Sequence, residues 1–231
     1  MGAGSLRIAF PNVFLPPMTT IHAAVVLVTS GFFACSGGSS QPPGPPVDLV
    51  ITGGNTQSWY FSNRLPTPLS VIATDPSGAG VPGVVVMWSA SSGGVTPTQS
   101  TTDASGVATT IDSLGSSTTQ SVTATFTGLA IVASFSEFGQ APPTAGAVAV
   151  TDFAFTPDSV VVQAGGTVTW TWNSGLTLHN VTFQSGPTIP SPSTDLSGTT
   201  TFNTTFTNVG LYIYHCTHHP ISMTGKVVVV H

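Results

Sequence analysis

Charge is scarce in this 231-residue sequence, with 5% of residues charged against roughly a quarter in ordinary soluble domains. Three are basic (Arg7, Arg64 and Lys226) and eight are acidic. Phosphate backbones are bound by clustered Lys and Arg, so the sequence excludes nucleic acid as a partner. Electrostatic docking onto an anionic membrane is excluded on the same ground. Cysteine is nearly as scarce: there are two, Cys35 and Cys216. Each sits in a setting that uses a thiol alone, so no disulfide is expected. Long apolar runs are also missing. The longest, Ile21 to Ala34, is interrupted by His22, Thr29 and Ser30 and falls short of the ~20 residues that span a bilayer. No capped helical periodicity occurs outside the leader. What remains is rich in Ser, Thr, Gly and Pro, which suit strands, turns and linkers. The expected fold class is all-β, with two β-sandwich domains.

The Ile21–Ala34 run has the character of a secretory h-region. It ends in Ala34-Cys35, followed by Ser36-Gly37-Gly38-Ser39-Ser40. This junction resembles the lipobox of bacterial lipoproteins, where a small residue precedes the Cys that receives diacylglycerol. The resemblance implies a signal peptide over 1–35 and lipid on Cys35. It also implies a bacterial, extracytoplasmic protein, periplasmic or on the cell surface, attached to the membrane through that lipid. Residues 36–46 then form a Gly/Ser/Pro tether. In polyproline II such a tether would hold a domain roughly 30 Å from a surface.

Residues 47–139 contain short apolar segments separated by turn residues: Leu49–Ile51, Leu69–Ala73, Val84–Trp88, Val107–Ile111, Val122–Phe126 and Ala130–Phe135. This spacing predicts a β-sandwich. Two stretches, Asp75 to Trp88 and Thr102 to Ala108, resemble the bacterial immunoglobulin-like repeats of invasin-type proteins. That resemblance speaks to fold and says little about function. The region has no His and no Cys, its acids are read as lying on turns, and it is expected to act as a spacer or packing partner.

Residues 140–147 read as a second linker, and 148–231 as a second β-rich domain. In Thr167-Val168-Thr169-Trp170-Thr171-Trp172 the alternation is strict, so Val168, Trp170 and Trp172 share one face. His179, His215, His218 and His219 fall in this block with Cys216. Read as a strand, Tyr212, Tyr214 and Cys216 face one way and Leu211, Ile213 and His215 the other. The turn that follows offers a thiolate, imidazoles and the Met223 thioether within eight residues, and His179 adds an imidazole from an earlier loop. One Cys, two His and one Met form the ligand set of a blue-copper electron-transfer site. Soft sulfur favours Cu(I), imidazole suits both oxidation states, and a trigonal His₂Cys set with a weak axial Met lies between their preferred geometries. Either His218 or His219 could supply the second imidazole.

Four stretches resemble the cupredoxins of the plastocyanin, pseudoazurin and amicyanin group. They are Phe153-x-Phe155-x-Pro157, Val162-x-x-Gly165 leading to Val168-x-Trp170, His179-Asn180-Val181-x-Phe183, and Tyr214-His215-Cys216-Thr217-x-His219 with Met223-x-Gly225. The resemblance implies a Greek-key sandwich holding one type 1 copper ion, with His179, Cys216, His219 and Met223 as ligands. It places the second imidazole three residues after the Cys, hence at His219, and leaves His215 facing away from the metal. It also implies that the backbone N–H of Asn180 meets the thiolate sulfur, with Thr217 as the side-chain partner of Asn180. The function implied is single-electron carriage between redox proteins, by a monomer with no enzymatic activity of its own. Multicopper oxidases need a His-Cys-His run, whereas here the run is His215-Cys216-Thr217. The alternative reading is a copper-binding or cell-surface interaction module without an electron-transfer role.

Overall fold

The computed structural model describes residues 42–128 and 131–231. The expected signal peptide, Cys35 and the first part of the tether lie outside the described residues. Every regular element described is a β-strand. The first nine are β1 (Asp48–Gly53), β2 (Ser58–Tyr60), β3 (Leu69–Thr74), β4 (Val85–Ala90), β5 (Gly94–Thr96), β6 (Gln99–Thr101), β7 (Val107–Ser113), β8 (Thr119–Phe126) and β9 (Val132–Gln140). They form two sheets, ordered β1-β3-β7-β5 and β2-β9-β8-β4-β6. Leu69, Val71 and Ala108 from one sheet meet Val86, Trp88, Val122 and Phe135 from the other in a shared core. All six apolar segments read from the sequence contribute to these strands. The three-residue strands β2, β5 and β6 escaped that reading because they are too short to show a period of two.

The acids of this half do not all lie on turns. Asp75 and Asp103 do, and each carboxylate accepts backbone N–H groups two and four residues on: Ser77 and Ala79, and Ser105 and Val107. Asp112 on β7 and Glu137 on β9 instead occupy inward positions and are fully buried. Strand alternation put them there; single acids just past the ends of the apolar segments Val107–Ile111 and Ala130–Phe135 gave no sign of it.

The remaining strands are β10 (Ala145–Thr151), β11 (Ala154–Thr156), β12 (Ser159–Gln163), β13 (Gly166–Trp172), β14 (Thr182–Ser185), β15 (Thr201–Phe206), β16 (Gly210–His215) and β17 (Thr224–Val230). Again there are two sheets, β11-β10-β13-β15 and β12-β17-β16-β14. Parallel pairing of β10 with β13 and of β12 with β17 interleaves the two ends of this half, so its sheets cannot be built from hairpins alone. Val168, Trp170 and Trp172 all face inward, as their alternation predicts, onto Phe183, Tyr212, Tyr214 and Val227 of the opposite sheet. Trp170 is the hub of this aromatic core, standing edge-on to Tyr214 at 5.3 Å and to Phe183 at 6.0 Å between ring centroids. Gly225 passes directly against the Tyr214 ring, where a Cβ would collide with the phenol.

Candidate metal centre

Two loops at one end of the second sandwich carry the candidate residues. The connection from β13 to β14 holds His179, and the connection from β16 to β17 holds Cys216, His219 and Met223. Because β14 pairs with β16, with Thr182 opposite His215, the two loops lie side by side. The second loop is closed at its neck: Cys216 donates its N–H to the Met223 carbonyl at 3.0 Å. Within it, the His219 N–H meets the Cys216 carbonyl at 3.1 Å and the Met223 N–H meets the His219 carbonyl at 3.0 Å. These bonds turn the chain back on itself, bringing residues three and seven positions apart to one side.

His179, Cys216 and Met223 are fully buried, and His219 is half-buried. The Cys216 Sγ lies 3.7 Å from His179 Nδ1 and 3.9 Å from His219 Nδ1. All three donor atoms fall within 4.8 Å of one another. A first-row metal bound at ~2.0 Å from imidazole nitrogen and ~2.3 Å from thiolate sulfur, at trigonal angles, needs nitrogen–sulfur edges of about 3.8 Å. The donor triangle therefore has the dimensions of a trigonal metal site. Burial holds His179 below the usual imidazole pKa, partly countered by Asp152, which favours the neutral ring whose nitrogen can offer a lone pair. Its other nitrogen, Nε2, is buried without a hydrogen-bond partner and has the Asp152 carboxylate 3.7 Å away, beyond hydrogen-bond length.

Asn180 ties the loops together. Its Oδ1 accepts the Thr217 backbone N–H at 2.9 Å, and its Nδ2 donates to the Thr217 hydroxyl at 2.6 Å. His218 turns away from the donor triangle and meets Asp195 at 3.0 Å. His215 sits on the opposite face of β16 from Tyr214 and is partly buried.

Three contributors carried no role in the sequence reading. Phe153, in the two-residue turn between β10 and β11, stands edge-on to His219 at 4.7 Å and to His179 at 6.2 Å. Its φ of 67° is left-handed, which a bulky side chain adopts only when its surroundings demand it. The backbone of Leu196 brackets His179 in a two-way bridge, each N–H 2.9 Å from the other's carbonyl. Asp195 lies beside Asn180. Phe153 belonged to a matched stretch, but Asp195 and Leu196 sit in a Ser/Pro/Thr-rich loop with no local signature.

The family described as copper binding proteins, plastocyanin/azurin family, matches residues 144–230. The chain is 37% identical over 107 residues to the amicyanin of Paracoccus denitrificans, a stretch covering 43% of this chain and 78% of amicyanin. It is 39% identical over 80 residues to the halocyanin of Natronomonas pharaonis, covering 33% of this chain and about half (48%) of halocyanin. Among solved structures, a reduced amicyanin variant is 34% identical over 37% of this chain and 82% of its own, with a TM-score of 0.33. A purple cupredoxin from Nitrosopumilus maritimus is 23% identical over 37% of this chain and 99% of its own, with a TM-score of 0.34.

Proposed function

Because the chain belongs, through residues 144–230, to the plastocyanin/azurin family of copper-binding proteins, we propose that it carries single electrons between redox proteins outside the cytoplasm. The observation that carries this reading is the buried His179–Cys216–His219 triangle, whose edges fit a trigonal metal site. In this reading His179, Cys216, His219 and Met223 would hold one copper ion, with the Met223 thioether as the weakest donor, and copper held there would supply a one-electron Cu(I)/Cu(II) couple.

The protein's own part is to keep the donors still. The neck bonds of the Cys216–Met223 loop and the Asn180–Thr217 pair hold them in one arrangement, so little need move when the charge changes. The half-buried His219 ring is the electron's exit. Phe153, which stands against it, and Ile221, two residues on, are exposed and, with Pro220, offer an apolar face to a partner. Residues 47–139 are proposed as an immunoglobulin-like spacer, joined by 140–147 to the copper domain. Residues 36–46 are the tether and Cys35 the lipid anchor, with the protein a monomer and carriage rather than catalysis its role.

The test is to add copper to the full chain and follow visible absorption and EPR through a ferricyanide/ascorbate cycle. An intense thiolate-to-copper band that bleaches on reduction and returns on oxidation supports the carrier. Copper uptake without a reversible blue band supports the alternative of a binding module with no electron-transfer role.

A further inference from the structure

Resting on that reading of the site, we propose that Asp195 is a positioning residue: one carboxylate oxygen latches the His179 loop to the Cys216–His219 loop and fixes the orientation of the Asn180 amide between them. The segment that carries Asp195 is itself pinned. Leu196 and His179 exchange backbone hydrogen bonds at 2.9 Å, the Ser193 N–H meets the Val181 carbonyl at 3.0 Å, and the Val181 N–H meets the Ser193 hydroxyl at 2.9 Å. Residues on both sides of Asn180 are thus clamped by 193–196, and Asp195 is carried to the Asn180 side chain. Its Oδ1 accepts from Asn180 Nδ2 at 2.7 Å and lies 3.0 Å from His218 Nε2.

A carboxylate only accepts hydrogen bonds, whereas an amide has one donating and one accepting end. With Asp195 on one side, the Asn180 NH₂ must turn toward it, sharing its second hydrogen with the Thr217 hydroxyl. The amide oxygen is then left for the Thr217 N–H and also receives the Thr182 hydroxyl at 3.3 Å. The Thr217 N–H, itself only a donor, opposes the flipped amide from one side and the carboxylate opposes it from the other, so losing the carboxylate removes one of two restraints on the amide's orientation. The network also touches the chain next to each donor of the triangle: Asn180 follows His179, Thr217 follows Cys216, and His218 precedes His219. One surface carboxylate, about half exposed on its side chain (48%), thereby restrains both loops from outside the donor triangle.

The experiment compares full-length wild type with Asp195→Ala, Asp195→Asn and, as a charge-matched control in the same half, the exposed Asp158→Asn. Two quantities are read: amide hydrogen exchange of Thr217 in the copper-free protein, and the rate at which Cu(II) is lost to excess EDTA. Asp195→Ala should accelerate both about tenfold or more, the usual scale for losing an outer-shell partner. Asp195→Asn keeps an accepting oxygen but no longer dictates the amide's orientation. It should accelerate them about fivefold, on the scale of one net hydrogen bond. Asp158→Asn should leave both within twofold. If either Asp195 variant leaves Thr217 exchange within twofold of wild type, the latch is overturned, and Asp195→Asn decides alone should the alanine variant not fold. A wild-type chain that takes up no copper would overturn the carrier reading instead, while Thr217 exchange would still decide the latch.

Discussion

Cys216 is the residue on which the site turns, because only a thiolate gives copper an intense sulfur charge-transfer band. Cys216→Ser is expected to abolish that band while the far-UV circular dichroism of the sandwiches is unchanged; a persisting blue colour would refute the donor triangle. The adjacent histidines separate on geometry: His219 Nδ1 faces the Cys216 sulfur, whereas His218 faces Asp195. His219→Gly should lose the native spectrum and recover it when imidazole is added, and His218→Ala should stay blue. The reverse pattern would move the ligand by one residue. Phe153 poses a different question, since its left-handed backbone costs on the order of 1–2 kcal/mol. Phe153→Gly removes that cost together with an edge-on aromatic contact worth about 0.5–1.5 kcal/mol. Thermal stability should therefore change little, while the copper potential and visible spectrum shift through the newly exposed His219. A large stability loss with an unaltered spectrum would show that the ring serves the turn and not the site.

At the scale of the strand, the buried acids are the anomaly. Desolvation pushes Asp112 up to about 6 and Glu137 up to about 7, the latter further raised by Asp112 and opposed by the Gln57 N–H on its Oε2 at 2.8 Å. Both Asp112 oxygens and Glu137 Oε1 are buried without partners, a setting that favours the neutral acid. The folded chain therefore holds these protons more tightly than the unfolded one. The stabilising contribution is complete below about pH 4 and is lost as pH rises through 6 and 7, by on the order of 3 kcal/mol for each group. Denaturant midpoints followed by fluorescence should accordingly be higher at pH 5 than at pH 8, and Glu137→Gln should flatten the profile. A wild-type midpoint independent of pH between 5 and 8 would contradict this. In the other half, Gly225 is fixed by the Tyr214 ring against its Cα. Gly225→Ala should destabilise by about 1–3 kcal/mol, as overpacking does, measurable by thermal unfolding of the copper-free protein.

Across the described residues, nearly all the buried apolar side chains gather into two clusters, one per half. The halves also touch: the Asn63 carboxamide accepts the His231 N–H at 3.0 Å, and Trp59 and Arg64 share a surface recess with Val209 and Val229. Ligand binding stabilises the unit that holds the ligand. Stripping copper should therefore lower the melting temperature of the second sandwich by several degrees and leave the first nearly unmoved. Calorimetry of the loaded and stripped full-length protein would check this, and an equal shift of all unfolding heat would mean that the two cores melt as one.

Strand alternation, turn residues and donor spacing are local properties, so the sequence alone determined the all-β class, the inward face of Val168, Trp170 and Trp172, and the candidate donors His179, Cys216, Met223 and one of His218 and His219, between which the family resemblance chose His219. A thiol, two imidazoles and a thioether at those intervals have few other chemical uses, which is why a candidate site could be named before any fold was known. What only the tertiary structure decided depends on pairings between distant segments. Parallel registry of β10 with β13 and of β12 with β17 set the sheet order, and the contact of β14 with β16 set the distance between the two loops. Phe153 reached the histidines across a hairpin, and Asp195 reached Asn180 and His218 from a loop with no pattern of its own. Asp112 and Glu137 were buried by the strands on either side of them. Such side chains take their roles from neighbours that are far away in the chain, and composition and periodicity carry no record of those neighbours.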